Sequence, residues 1–155
     1  IPPKKGKPHI LRIIRELIEF KPVNKKTDIN VPLQFLSNIL KNRAIVFLMS
    51  DFISDDCSNL LRIISSKHDI TGIRVYDKSE ITIPNLGLVP LMDNEENKMK
   101  LVYTGSKKVR KNYEKYYQNR IQLFGENFKK AGAGIIECST EDSYQKKLLR
   151  YFRNR

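Results

Sequence analysis

Thr27 and Asp51 are the two residues of this chain best placed to do chemistry. Asp51 directly follows the apolar run Ala44 to Met49, which reads as a strand, and Thr27 precedes a segment that reads as a helix lying beside that strand. In open α/β sheets, ligands gather beyond the carboxyl ends of the strands. A carboxylate and a hydroxyl converging there suit a hard cation such as magnesium, which takes oxygen ligands and keeps several waters. The same residues have a plainer use: Thr27 or Asp28 can cap the following helix, and Asp51 can be a loop acid near the next helix's N-terminus. Asp55 and Asp56 lie close enough to Asp51 to share its loop, which leaves a metal-dependent hydrolase open as a lesser reading.

The sequence offers no other catalytic pattern. It has no nucleophile paired with a base, and Gly72, Gly87, Gly105 and Gly125 are too scattered to cradle a phosphate. His9 and His68 each stand alone near a helix end and read as surface or helix-terminal polar residues. Cys57 and Cys138 form no Cys-x-x-Cys pair and have no histidine at ligand spacing, so no zinc or redox motif can be built. Free, mostly buried thiols in a reducing compartment are expected. The chain is therefore not expected to be an enzyme.

The elements that must position these residues follow from periodicity. After the Pro/Lys-rich opening, Ile10, Ile13, Ile14, Leu17 and Ile18 recur three and four apart, which predicts an amphipathic helix from His9 to Phe20. A polar break at Lys21 to Lys26 precedes a second helix, about Ile29 to Lys41, with Leu33, Leu36, Ile39 and Leu40 inward. The unalternating run Ala44 to Met49 suits a strand buried on both faces of a parallel sheet. A helix from Asp55-Asp56 to about Lys67, with Leu60, Leu61, Ile63 and Ile64 inward, leads to a second parallel strand, Asp69 to Tyr76. Leu86 to Met92 and Met99 to Tyr103, separated by a polar turn at Asp93 to Asn97, read as a β-hairpin inserted at the sheet's rim.

Ser106 is placed to cap a long helix reaching about Lys130, with Val109, Tyr113, Tyr116 or Tyr117, Ile121, Phe124 and Phe128 as its buried stripe. A short strand, Gly134 to Cys138, and a final helix capped by Ser139 or Thr140, with Tyr144, Leu148 and Phe152 inward, complete the chain. The sum is one domain of the α/β class, a doubly wound, Rossmann-like three-layer sandwich carrying a β-hairpin insertion. A length of 155 residues with 40% hydrophobic content supports one core of that size. The longest apolar run falls far short of the roughly 20 residues a membrane-spanning helix needs, so a soluble, cytoplasmic protein is expected.

The net charge of +12 favours acidic or phosphate-rich partners without naming one. Its lysines and arginines are spread over the N-terminus, the long helix (Lys107, Lys108, Arg110, Lys111, Lys115) and the tail. They read first as the solvated faces of amphipathic helices. A nucleic-acid-binding domain is the second reading, because three tyrosines sit among those lysines.

Several segments together resemble the bacterial domain-of-unknown-function 58 family: Ile-Pro-Pro-Lys-Lys-Gly-Lys at 1–7, Thr27-Asp28-Ile29, the run Ile45 to Phe52, Ile73-Arg74-Val75-Tyr76-Asp77, and the closing segment at 131–140. The resemblance implies a von Willebrand factor A-like domain. Its metal-ion-dependent adhesion site joins an Asp-x-Ser-x-Ser after the first strand, a threonine before a helix and an aspartate after the central strand. Thr27 matches the second element and Asp51 the third. No Asp-x-Ser-x-Ser occurs in these 155 residues; in the family it lies upstream of the Ile-Pro-Pro segment. The expectation is thus a single partial von Willebrand factor A-like domain over 1–155, lacking its N-terminal strands. Mg2+ would bind in the full-length parent and be held too weakly here to matter. The missing first strand would pair with Ala44 to Met49, so a bare edge and a homodimer through it are expected. The resemblance further implies a chaperone-like or complex-assembly role beside a MoxR-type AAA+ ATPase.

Overall fold

The computed structural model describes residues 1–21, 27–53, 56–93 and 98–154. In chain order the elements are α1 (Lys7–Glu19), α2 (Asn30–Ile39), β1 (Ile45–Ser50), α3 (Ser58–Ser65), β2 (Asp69–Tyr76), a 3-10 turn (Lys78–Glu80), β3 (Leu88–Asp93), β4 (Lys98–Tyr103), α4 (Lys107–Lys130), β5 (Gly134–Ser139) and α5 (Tyr144–Arg153). The two runs read as parallel strands and the short strand read at Gly134 to Cys138 form one parallel sheet in the order β1-β2-β5, with Ile45 opposite Asp69 and Thr71 opposite Gly134. The hairpin is a separate antiparallel pair, with Leu88 opposite Tyr103. The chain is therefore α/β with a parallel sheet, as the periodicity indicated. Most of the polar break at 21–26, most of the hairpin's turn and Asp55 lie outside the described residues.

One face of the sheet carries the core. Val46 and Ile70 meet Leu33 of α2, Leu61 and Ile64 of α3, and Phe124 and Phe128 of α4, all buried. The Phe128 ring lies so close over Gly72 that a Cβ there would sit 2.5 Å from Cε1, so glycine is what lets α4 approach β2. Ser106 caps α4 through the Val109 amide, and of the two tyrosines left open it is Tyr117 that is buried, while Tyr116 is half exposed. Ile63 is 49% exposed rather than inward, because the eight-residue α3 turns only Leu61 and Ile64 fully to the core.

The opposite face is thinly covered. There Phe152 of α5 meets Phe47 edge-on at 6.0 Å, and Tyr151 shares a hydrogen bond with Thr71 at 3.1 Å. Ile45 and Met49 remain 66% and 71% exposed, so β1 is not buried on both faces as its composition suggests. In α5, Tyr144 points outward, and no side chain caps the helix. Helix α1 is amphipathic, yet none of its residues is buried: Ile10, Leu11, Ile14, Leu17 and Ile18 are all exposed.

The two sheet edges differ. At β5, Lys147 donates to the Glu137 carbonyl at 2.6 Å and Asp142 accepts from the Ser139 amide at 3.1 Å, while the two side chains pair at 2.6 Å. An inward lysine of this kind occupies edge groups that would otherwise recruit another strand. At β1 the ladder, among the described residues, runs to β2 alone. The Asp69 amide donates to the Ala44 carbonyl, which sets the even-numbered residues toward β2 and turns the amides and carbonyls of Ile45, Phe47 and Met49 to the open side.

Candidate functional site

Asp51 leaves β1 at its carboxyl end and enters a tight turn. Its Oδ1 accepts from the Ile53 amide and the Ser50 hydroxyl, both at 3.2 Å, while Ser50 Oγ accepts from the Phe52 amide at 3.1 Å. Phe52 carries the bend, with φ at 57°, in the left-handed region that costs a residue with a Cβ about 1–2 kcal/mol. Its ring holds it there. It stacks on Phe124 at 4.2 Å and meets Phe128 edge-on at 5.2 Å, so the strained residue is anchored in the core and Asp51 is left at the surface.

Thr27 is also exposed, ahead of α2. The N-cap of α2 is Ile29, without a side-chain cap bond, so neither Thr27 nor Asp28 caps the helix; Asp28 instead forms a turn ahead of it, accepting from the Asn30 amide at 2.9 Å and the Asn30 side chain at 3.1 Å. The loops carrying Thr27 and Asp51 meet in two ways. Asn30 donates to the Asp56 carbonyl at 3.2 Å, and Ile29, Phe52 and Cys57 share one buried cluster.

Asp56 is the residue that sequence reasoning undervalued here. Its carboxylate accepts from the Ser58 amide and hydroxyl, each at 2.9 Å, and from Asn127 of α4 at 2.8 Å. The Ser58 amide is the chief reason its carboxyl is held below the usual carboxylate range. Asp56 thus joins α2, α3 and α4. Burial pushes the neighbouring Cys57 thiol up, and Cys57 and Cys138 are free and buried. His68, at the end of α3, is buried rather than at the surface.

A second polar group lies beyond β2 and β5. Asp77 follows β2 as Asp51 follows β1, and accepts from the Ser79 amide at 2.8 Å and the Thr140 hydroxyl at 3.4 Å. The Ser79 amide foremost holds its carboxyl low, and hydrogen bonding to Lys147 does the same for Asp142. The position of Asp77 right after a strand was the signal that could have found it. Deeper in the sheet, Arg74 is buried between Glu137, at 3.1 Å, and the Tyr117 hydroxyl, at 2.7 Å, with its guanidinium 4.1 Å from the centre of the Tyr76 ring.

The donors at the Thr27–Asp51 corner are all oxygens, which matches a hard cation in kind. In number they fall short. Asp28 is bonded to Asn30 and Asp56 to Ser58 and Asn127, and among the described residues no group of three or more His, Cys, Asp or Glu side chains could hold a metal ion. No described helix is long and apolar enough to cross a membrane.

The α/β chain with this corner belongs to the family described as protein of unknown function DUF58, whose profile matches residues 1–122. It is 26% identical over 98 residues to Uncharacterized protein Rv1480 of Mycobacterium tuberculosis and, to the same extent, to Uncharacterized protein Mb1516 of Mycobacterium bovis. Each alignment covers 61% of this chain and 31% of the relative, so the chain spans about a third of the length of the curated relatives it matches. No solved structure matches it significantly.

Proposed function

We propose that the chain is a non-enzymatic protein-interaction module of the cytoplasm, part of a von Willebrand factor A-like domain with a partial metal-ion-dependent adhesion site at Thr27 and Asp51. Its partner on this reading is a MoxR-type AAA+ ATPase, served in a chaperone-like or complex-assembly role. One observation carries the proposal: the loop leading into α2 meets the loop leaving β1 at the carboxyl end of the sheet, through the Asn30 bond to Asp56. Mg2+ held by Thr27 and Asp51 would supply a hard contact for a partner's carboxylate, with further ligands drawn from outside these 155 residues. The chain's own contribution is positional. Ser50 and the Ile53 amide orient Asp51, and Phe52 fixes the turn from the core.

The test is binding of the full natural protein to an AAA+ ATPase with Mg2+ and with chelator. Binding that needs Mg2+ and is lost in Asp51→Ala is expected. Equal binding in both conditions would remove the metal from the account.

A further inference from the structure

We propose that the β3–β4 hairpin is a docking surface for an acidic, amphipathic segment of another protein. The register puts Leu88 opposite Tyr103 and Pro90 opposite Leu101, with Met99 further along the same face, because alternate residues of β4 share a side. All five are exposed, Leu88, Met99, Leu101 and Tyr103 by 58–70%. The other face is less exposed, with Val89 and Val102 half-buried and Leu91 38% exposed. An apolar face this continuous on a protein surface marks an interaction site.

The hairpin is also held firmly at its base. Thr104, fully buried, donates its amide and hydroxyl to the Gly87 carbonyl at 2.7 and 2.8 Å and accepts from the Leu86 amide at 2.9 Å. Arg110 then bonds the Thr104 and Gly105 carbonyls, at 2.5 and 3.0 Å, tying the hairpin to the start of α4. A presented face on a fixed arm loses little ordering entropy on binding.

Charge selects the occupant. The exposed lysines Lys107, Lys108, Lys111 and Lys115 follow directly from the hairpin base, so carboxylates flanking an apolar stripe complement this end. A second copy brings its own net charge of +12 against the same lysines. Aliphatic side chains with one tyrosine make a poor base-stacking platform. The surface is distinct from the Thr27–Asp51 corner: Lys107 and the Asp56 partner Asn127 are roughly 30 Å apart along α4 at about 1.5 Å per residue.

The experiment uses fluorescence anisotropy with a short alternating Leu-Glu peptide, its Leu-Lys counterpart, single-stranded RNA, and vesicles rich in anionic lipid. The Leu-Glu peptide is expected to bind and the Leu-Lys peptide to fail. Met99→Ser with Leu101→Ser should abolish binding, and Lys107→Glu with Lys108→Glu and Lys111→Glu should weaken it at least about tenfold, with circular dichroism unchanged. Leu-Glu binding indifferent to both sets of variants overturns the proposal. So does hairpin-dependent binding to RNA or vesicles in preference to the peptide, or a concentration-dependent dimer that the Met99/Leu101 variant dissolves.

Discussion

Asn127 of α4 donates its side-chain amide to Asp56 at 2.8 Å, tying the start of α3 to a helix that lies 71 residues further along the chain. Asn127 is buried and Asp56 is not. The bond therefore secures the loop after β1 from below while leaving its outer surface open.

Asn127→Ala should cost about 1.5–3 kcal/mol in urea unfolding, the range for a hydrogen bond to a charged group. The pH dependence has a definite sign. Asp56 has a folded pKa below its unfolded value of about 3.9. Its contribution is full above that value and lost as pH falls through the folded one. Asp77 and Asp142 are shifted the same way. Asp56→Asn should thus flatten the acid limb of stability against pH; an unchanged acid limb would show that Asp56 carries none of it.

Phe52 allows a direct test of backbone strain. Both Phe52→Ala and Phe52→Gly lose the ring and should be destabilised by about 3–5 kcal/mol. Glycine accepts a φ of 57° without penalty, so Phe52→Gly should be the more stable of the two by about 1 kcal/mol, against its usual disadvantage elsewhere. Equal stabilities in chemical denaturation would mean the turn relaxes once the ring is gone.

Asp51 and Thr27 should matter little to folding and much to binding. Both are exposed, so Asp51→Ala, which loses the Ser50 and Ile53 bonds, and Thr27→Ala are each expected to cost no more than about 1.5 kcal/mol. Millimolar Mg2+ should raise the Tm of the isolated chain by less than about 1 °C, since two ligands bind too weakly to shift unfolding. A large Mg2+-dependent rise abolished by Asp51→Ala would show that the chain holds the metal unaided.

The open β1 edge should drive self-association of the isolated chain at high concentration, visible in light scattering. Phe47→Lys, which places a charge on that strand, should return it to monomer. A strictly monomeric parent across the concentration range would sink the idea.

Much of this fold was legible in the sequence, because periodicity records burial. Asp69 to Tyr76 is a strand with the bounds its apolar run gave, and the stripe Tyr117, Phe124 and Phe128 marks the core side of α4. β1 misled for a physical reason: Ile45, Phe47 and Met49 are apolar yet exposed, with the Phe152 ring edge-on against Phe47. In α5, short and strongly amphipathic, the inward positions fall to Tyr151 and Lys147, whose polar ends find Thr71 and Glu137. Thr27 and Asp51 could be singled out from their places beside a helix and a strand. The Asp56–Asn127 bond could not, since a pairing across three helices leaves no trace in spacing.

The unequal edges of the parallel sheet bear on how far any such association can go. In the language of polymer chemistry the sheet would act as a monofunctional monomer if β1 recruits a strand, because Lys147 and Asp142 already bind the Glu137 carbonyl and Ser139 amide of β5. Growth by strand addition would then be self-terminating, and two copies meeting at β1 would make a closed pair with the β5 edges outward. A chain with this much exposed apolar strand would otherwise be a candidate for fibres. Replacing Lys147 would restore the second functional end.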